Sequence, residues 1–345
     1  MRVARYDRYG DPEVVRVTDA PTPAAGPGEL VIRVLAATLG AADAAARAGD
    51  PAFARLYFGL RHPRIPVLGS DIAGEVIEVG ETRDDTPDAP FRVGDRVFGV
   101  TGSSMGGHAT HLVLPVGAAI APLPAGVTEA EGAALVDGTA LSFLRDTARL
   151  RSGQRVLVIG ASGSVGSAAV QLAVQMGARV SGVCSTPNVE LVASLGAERV
   201  VDYTAEDWRA ASARSGHGGR RPHESYDVIF DAVGVGSYRQ ARPSLADGGV
   251  YLRTVPTPGL LLQMAWTTLA RRLHLGRTRA AIAFTGLRCT AAKKHDLGVI
   301  TELVERGALR AVIDSTYPLD RIADAHRRVD THRKRGAVVV TMDGD

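Results

Sequence analysis

The turn Gly160-Ala161-Ser162-Gly163-Ser164-Val165-Gly166 carries the residue types and spacing best suited to chemistry in this chain. It follows the apolar run Val156-Leu157-Val158-Ile159, which reads as a buried parallel strand, and it leads into a helix-like stretch and a second strand. A turn in this setting can hold the diphosphate of a dinucleotide. Gly163 lets the backbone come close to the anion, and Gly166 lets the helix pack on the strand. The N–H groups of Ser162, Gly163, Ser164 and Val165 at the helix start attract negative charge. Ala161 stands where the usual G-x-G-x-x-G spacing has its first glycine, so the match is a variant. A bare glycine pattern also describes an ordinary tight turn; the strand before it and the helix after it favour the dinucleotide.

The second strand, Arg179 to Cys184, ends in Ser185-Thr186-Pro187-Asn188, where an NAD-specific site would place Asp or Glu against the ribose hydroxyls. A carboxylate there would repel a 2′-phosphate, whereas Ser185, Thr186 and Asn188 can hydrogen-bond to one, so the expected cofactor is NADP. The same residues also suit a turn and cap before the helix beginning near Val189.

Other chemistries are weaker in their context. Gly102-Ser103-Ser104-Met105-Gly106 fits G-x-S-x-G, but a nucleophile elbow runs from strand to helix. Here His108 to Leu114 follows and reads as a strand, so the segment is a glycine-rich loop. His108 and His111, three apart on such a strand, point to opposite faces and do not form a metal pair. Lysine occurs only at 293, 294 and 334, which removes a G-K-[ST] phosphate loop and disfavours a Schiff base. The two cysteines, Cys184 and Cys289, cannot build a disulfide framework or a four-cysteine zinc lobe.

The elements that must position the turn fall into two kinds. The first hundred residues or so read as short strands with frequent turns, among them Leu30 to Leu35, Asp71 to Gly80 and Asp95 to Val100. From about residue 125, helices alternate with strands at Arg155–Ile159, Arg179–Cys184, Arg199–Asp202, Tyr226–Asp231, Gly249–Arg253 and Ala281–Phe284, the pattern of a parallel sheet covered on both faces. Ser212 to Ser225, rich in Gly, Ser, Arg and His, reads as an exposed loop. At 345 residues with a net charge of +3 spread along the chain, two globular domains are expected and nucleic acid is not an expected partner. Leu260 to Ala270 is too short and too interrupted to cross a bilayer, so no membrane partner is expected. The first residues lack the apolar core of a signal peptide, which points to the cytoplasm.

Ordered along the chain, Tyr9-Gly10, Pro27-Gly28-Glu29-Leu30-Val31, Leu68-Gly69-Ser70-Asp71-Ile72-Ala73-Gly74-Glu75-Val76 and Val93-Gly94-Asp95-Arg96-Val97 form a recognisable series. It continues through Thr139-Ala140, the glycine turn, Leu195-Gly196-Ala197, Asp202-Tyr203, Asp231-Ala232-Val233-Gly234 and Tyr317-Pro318-Leu319. Over nearly its whole length the chain resembles the zinc-independent, quinone oxidoreductase-like branch of the medium-chain dehydrogenase/reductases. The resemblance implies an α/β fold in which a doubly wound parallel-sheet (Rossmann) domain, residues 124–286, is inserted in a β-rich GroES-like catalytic domain, residues 1–123 and 287–345. It also implies cofactor contacts at Thr139, at Tyr203 beside the adenosine phosphate, and at Val233, Gly234, Thr254 and Val255.

Zinc-dependent relatives have Cys where this chain has Gly40 and a His-Glu pair where it has Ser70-Asp71, so no metal is expected. Without a Lewis acid, an activated alkene or a quinone suits the site better than a simple alcohol: hydride adds to the β-carbon of an enone and the charge delocalises as an enolate. The expected function is thus NADPH-dependent reduction of an enone or quinone, with a bulky or secondary-metabolite substrate and reductive cyclisation as one form of it. An NADPH-binding protein with little turnover is the alternative, and a zinc-free alcohol or ketone dehydrogenase ranks third. Relatives commonly have Asn where Gly40 stands, and Ala44, Ala45 and Ala46 are read as a depleted wall of the substrate cleft. Tyr57 is the leading candidate for a substrate hydrogen bond or proton donor, although a packing role is the plainer one; Asp43 is a second candidate that also suits a turn. Pro258 to Leu275, with Leu260, Leu261, Leu262, Met264, Trp266 and Leu269, is expected to cover something, either a homodimer contact or a lid.

Overall fold

The computed structural model describes residues 1–50, 52, 55–81, 91–136, 138–209, 225–273 and 275–342. Within these, the chain forms two compact units: Met1–Gly138 with Gly286–Asp345, and Thr139–Thr285.

The first unit opens with an antiparallel pair, β1 (Arg2–Arg5) and β2 (Arg16–Asp19). The long strand β3 (Glu29–Leu39) follows, then the helices α1 (Ala41–Ala48) and α2 (Arg55–Phe58). Four strands come next: β4 (Asp71–Val79), β5 (Arg96–Val100), β6 (His111–Pro115) and β7 (Ala119–Pro122). β3 is the hub of the sheet because it pairs antiparallel with both β4 and β6, and its Leu30, Val31, Ile32, Ala37 and Leu39 are buried. The helix α3 (Glu129–Leu135) is set by a reciprocal cap, in which the Glu131 N–H donates to Thr128 Oγ1 (3.3 Å) and the Thr128 N–H to Glu131 Oε2 (2.9 Å). It packs on β3, β4 and β5. A Cβ on its Gly132 would meet Leu123 Cδ1 at 2.4 Å, so the helix lies close on the sheet. This packing carries the first unit past the expected boundary at residue 123.

The second unit starts with α4 (Thr139–Leu141), which runs on as a π-helical turn, Ser142–Ala148. The alternation that follows is β8 (Arg155–Ile159), α5 (Ser164–Gln175), β9 (Arg179–Cys184), α6 (Val189–Ser194), β10 (Arg199–Asp202), β11 (Tyr226–Asp231), α7 (Tyr238–Ala241), β12 (Leu245–Arg253), α8 (Pro258–Arg272) and β13 (Arg279–Ala281). All neighbours pair in parallel, in the order β10-β9-β8-β11-β12-β13. This is the doubly wound order, and its crevice for a ligand opens beyond the carboxyl ends of β8 and β11, where the winding reverses. β8 is buried from Val156 to Ile159, as its unbroken apolar run requires. The last strand lies at Arg279–Ala281 rather than reaching Phe284, which is half exposed. The loop expected at Ser212 to Ser225 falls, apart from Ser225, outside the described residues.

The chain then returns to the first unit through α9 (Thr290–Glu305), β14 (Ile313–Pro318), α10 (Ile322–Asp330) and β15 (Ala337–Thr341). β15 pairs antiparallel with β3, completing a seven-stranded sheet. One core joins both ends of the sequence: Leu319, Ile322, Ala325, Val329, Val338 and Val340 pack with Tyr6, Leu39, Ala44 and Ala46.

Candidate functional site

At the end of β8 the chain turns through Gly160 at φ +78°, and the N–H groups of Gly160 and Ala161 both donate to Val183 O at 3.0 Å. The three glycines of the turn are required for different reasons. A Cβ on Gly160 would come within 2.1 Å of Val233 Cγ2, and one on Gly166 within 2.0 Å of Gly160 O, so these two are demanded by internal packing. A Cβ on Gly163 would meet only Gly160 O, at 3.4 Å, so the space in front of Gly163 is open to a ligand. α5 begins there without a side-chain cap, which leaves the first N–H groups at Ser164 and Val165 for an anion. The turn has room and uncapped N–H groups for an anion such as a dinucleotide diphosphate, while the Gly163 N–H itself donates to Gly160 O at 3.0 Å. The methyl group of Ala161 is tolerated because β9 carries Gly182 opposite it: a Cβ on Gly182 would lie 3.0 Å from Ala161 Cβ.

Across the switch point, Asp231 ends β11 fully buried. Its Oδ1 accepts from the N–H groups of Val233 (3.2 Å) and Gly234 (2.6 Å), and its Oδ2 from Gly236 N–H (2.7 Å) and Tyr251 Oη (2.9 Å). Burial, with the carboxylate of Asp231 beside it, pushes the Tyr251 phenol up. Thr254 holds the same loop by donating from N to Asp231 O and from Oγ1 to Ala232 O, both at 3.2 Å, and Arg253 donates to Gly234 O. A Cβ on Gly234, at φ +80°, would lie 3.0 Å from Val255 Cγ2. Val233, Gly234, Thr254 and Val255 thus come together, with the two valines partly exposed as an apolar ledge. Thr139 heads α4, which packs on α5.

At the end of β9, Thr186 opens a short 3-10 turn, and Asn188 Nδ2 donates to Ser185 Oγ at 3.1 Å. β9 ends without a carboxylate, and parallel register sets Asp202 of the neighbouring β10 beside Cys184. Thr204 donates to Asp202 Oδ1 from N (2.9 Å) and Oγ1 (2.7 Å), and Thr204 Oγ1 lies 2.8 Å from Thr186 Oγ1. Hydrogen bonds from Thr186, then Thr204, hold the Asp202 carboxyl below the usual carboxylate range. Tyr203, next in sequence, is exposed, and its N–H donates to Cys184 O at 3.0 Å.

In the first unit, Asp43 is buried, and its two oxygens accept from Gly40 N–H (2.8 Å) and Gly69 N–H (3.0 Å). It ties the start of α1 to the approach to β4, as the turn-fixing role requires. Ala44 and Ala46 are in the core instead of forming a depleted wall, because α1 packs against α10 and needs small side chains there. His108 precedes β6 and is almost wholly buried: its N–H donates to Leu68 O and its Nε2 lies 2.9 Å from Thr38 O. His111 lies on β6, with Nδ1 3.0 Å from Thr110 Oγ1. Among the described residues no cluster of three His, Cys, Asp or Glu is placed to hold a metal. Tyr57 on α2 is half exposed, its ring edge-on to Phe58 with centroids 5.0 Å apart. After Gly102–Ser104 the chain enters strand β6, not a helix, so the loop is no nucleophile elbow.

One polar group escaped the sequence analysis. Ser70 Oγ and Thr38 Oγ1 both donate to Asp71, each at 3.0 Å, bringing the ends of β3 and β4 together at the positions where zinc-dependent relatives bind metal. Only antiparallel pairing of two strands far apart in sequence reveals it.

The family model for the alcohol dehydrogenase GroES-like domain matches residues 26–125, and one described as zinc-binding dehydrogenase matches residues 195–340. The chain is 30% identical to a mitochondrial NAD(P)H oxidoreductase, RTN4IP1, of Bos taurus, over 97% of this chain and 88% of that protein. It is also 30% identical to the trans-enoyl reductase pgmF of Aspergillus terreus, over 92% of this chain and 87% of that one. The solved structure of the quinone oxidoreductase from Coxiella burnetii matches with a TM-score of 0.80 and 26% identity, covering 99% of both chains. Gly40 and Ser70-Asp71 stand where the zinc ligands of metal-dependent relatives would be. By its two matched domains, its switch-point turn and its full-length relatives, the chain belongs to the zinc-independent, quinone oxidoreductase-like medium-chain dehydrogenase/reductases and is an oxidoreductase that uses a nicotinamide dinucleotide.

Proposed function

We propose that the protein is an NADPH-dependent reductase of conjugated carbonyl compounds or quinones. The observation that carries this reading is the open diphosphate cradle at Gly163, in a chain whose metal-ligand positions are Gly40 and Ser70-Asp71. When bound, the nicotinamide supplies the hydride that a polarised C=C or a quinone accepts. The backbone of Ser162 to Val165 holds the diphosphate, and Val233 and Val255 give an apolar ledge that keeps water off the reacting ring. Ser185, Thr186 and Asn188 hold the 2′-phosphate with neutral donors. Tyr57, half exposed with its ring edge-on to Phe58, gives the proton or hydrogen bond to the substrate oxygen. The names of the Aspergillus and Coxiella relatives support an alkene or a quinone as the acceptor.

NADPH consumption with a panel of enones and quinones is the direct test, and absence of turnover on every member would leave a binding protein. Tyr57→Phe is expected to lower kcat by roughly a hundredfold while leaving the dissociation constant of NADPH unchanged. An unchanged kcat would return Tyr57 to a packing role.

Cofactor choice has its own test. Asp202 places negative charge beside Thr186, so Asp202→Asn should tighten NADPH by roughly tenfold relative to NADH, because like charges repel across this short distance. Fluorescence titration with both dinucleotides reads this ratio. If NADH binds the natural chain as tightly as NADPH does, the phosphate pocket is misassigned.

A further inference from the structure

The loop that follows α2 carries free positive charge close in sequence to Tyr57. Glycine is required at its centre: Gly59 sits at φ +122°, its N–H donates to Arg55 O at 2.8 Å, and a Cβ there would lie 2.0 Å from His62 O. The Arg64 N–H donates back to Phe58 O at 2.7 Å, and Tyr9 Oη donates to Gly59 O. Backbone bonds therefore fix the loop and leave its side chains for other uses. Leu56, Tyr57 and Leu60 are 69, 52 and 63% exposed.

Between Asp50 and Asp71 the sequence contains no Asp or Glu, but it contains Arg55, Arg61, His62 and Arg64. Arg55 is engaged: its Nε donates to Gly49 O at 3.0 Å, and its guanidinium lies 4.8 Å from the centre of the Tyr9 ring. Arg61, His62 and Arg64 are exposed, and their side chains have no acidic partner among the described residues. Two unneutralised guanidinium groups beside exposed leucines suit an anion with an apolar body. A single helical turn and a short loop are too small for larger occupants. By themselves they offer neither the roughly 1,200–2,000 Å² of a stable protein interface nor an amphipathic helix that could lie in a membrane.

We propose that this loop selects an amphiphilic, anionic acceptor: a conjugated carbonyl compound whose apolar chain ends in a phosphate or a carboxylate. Leu56 and Leu60 take the chain, Arg61 and Arg64 take the oxyanion, and Tyr57 of the same segment meets the carbonyl oxygen. This inference rests on the reading of Tyr57 as the group that meets the substrate.

The test is calorimetric titration of the NADPH-loaded full chain with octyl phosphate, octanoate, neutral 1-octanol and inorganic phosphate. Octyl phosphate and octanoate should bind roughly tenfold more tightly than 1-octanol, and added salt should close the gap. Inorganic phosphate should bind more weakly than octyl phosphate, and the tighter of the two octyl anions identifies the end group. Arg61→Gln/Arg64→Gln should remove the preference for anions, whereas Leu56→Ser/Leu60→Ser should weaken every octyl probe. Melting temperatures equal to that of the natural chain show that both variants fold. In turnover, an enone with a terminal carboxylate should give a higher kcat/KM than its methyl ester. Equal affinity for octanoate and 1-octanol overturns the proposal, as does an anion preference that survives in Arg61→Gln/Arg64→Gln. Binding of octyl phosphate only above its micelle concentration also overturns it, because the loop would then be reading a membrane surface. Anion preference in binding with no turnover on any acceptor would instead defeat the reductase reading, so the two fail separately.

Discussion

Asp231→Ala is expected to destabilise the dinucleotide-binding unit by about 3–5 kcal/mol and to abolish tight cofactor binding. The substitution strands the Gly236 N–H and the Tyr251 hydroxyl in a buried place, each worth about 1–3 kcal/mol when it loses its acceptor, and also frees the part-buried N–H groups of Val233 and Gly234. The same hydrogen bonds shape the loop from Val233 to Gly236, and Val233 closes over Gly160 at the head of the diphosphate turn. A loosened loop therefore costs binding as well as stability. Tyr251→Phe removes one donor and leaves the carboxylate its three N–H partners, so its effect should be near 1 kcal/mol with dinucleotide affinity retained. Calorimetric melting with and without NADPH separates the two variants. Tight NADPH binding by a folded Asp231→Ala protein would show that the loop holds its shape without the carboxylate.

Acid should destabilise the first unit through His326. This side chain on α10 is fully buried, and neither ring nitrogen has a hydrogen-bond partner among the described residues. Burial, then the nearby His108 and Arg47, pushes its pKa from 6.5 down to about 2. The native state thus keeps the ring neutral, while the unfolded chain takes up a proton below pH 6.5. Stability is complete above that pH and falls by about 1.4 kcal/mol per pH unit below it, a loss of roughly 2 kcal/mol by pH 5. His326→Leu should abolish most of this slope. It should also raise stability at neutral pH by about 1–3 kcal/mol, because two unsatisfied nitrogens leave the core. Burial, the N-terminal amine and Arg33 depress His111 as well, so a shallower slope remains in the variant. Asp314, held low against its own burial by Arg328, adds its loss only at lower pH, where carboxylates titrate. Melting temperatures followed from neutral pH to pH 5 decide the matter: parallel acid limbs in the natural chain and His326→Leu would rule out His326 as the source.

Much of the second unit was legible in the sequence because buried parallel strands are unbroken apolar runs. Arg155–Ile159, Arg179–Cys184, Arg199–Asp202 and Tyr226–Asp231 lie where that pattern put them. The glycine turn was legible for a related reason: backbone geometry there admits few residue types, and the flanking strand and helix supply its setting. His108 misled, because its alternation with neighbouring residues resembles a strand, while its N–H is committed to Leu68 O in the loop before β6. The boundary at residue 123 also fell short, since nothing local says that α3 packs on strands far earlier in the chain.

What the sequence alone determined was the kind of protein: a switch-point dinucleotide site, with the metal-ligand positions of the family occupied by residues that do not form its zinc site. What only the tertiary structure decided was which side chains meet. Asp202 faces Thr186 because two parallel strands pair in one register, and Thr38, Ser70 and Asp71 converge because β3 and β4 run antiparallel. The periodicity of Pro258 to Leu275 announces an apolar stripe without saying where it faces; the bond from Ala280 to Thr267 turns that stripe outward. Local sequence specifies backbone conformation and burial pattern, whereas contacts between distant strands follow from register, which is set by the packing of the whole unit.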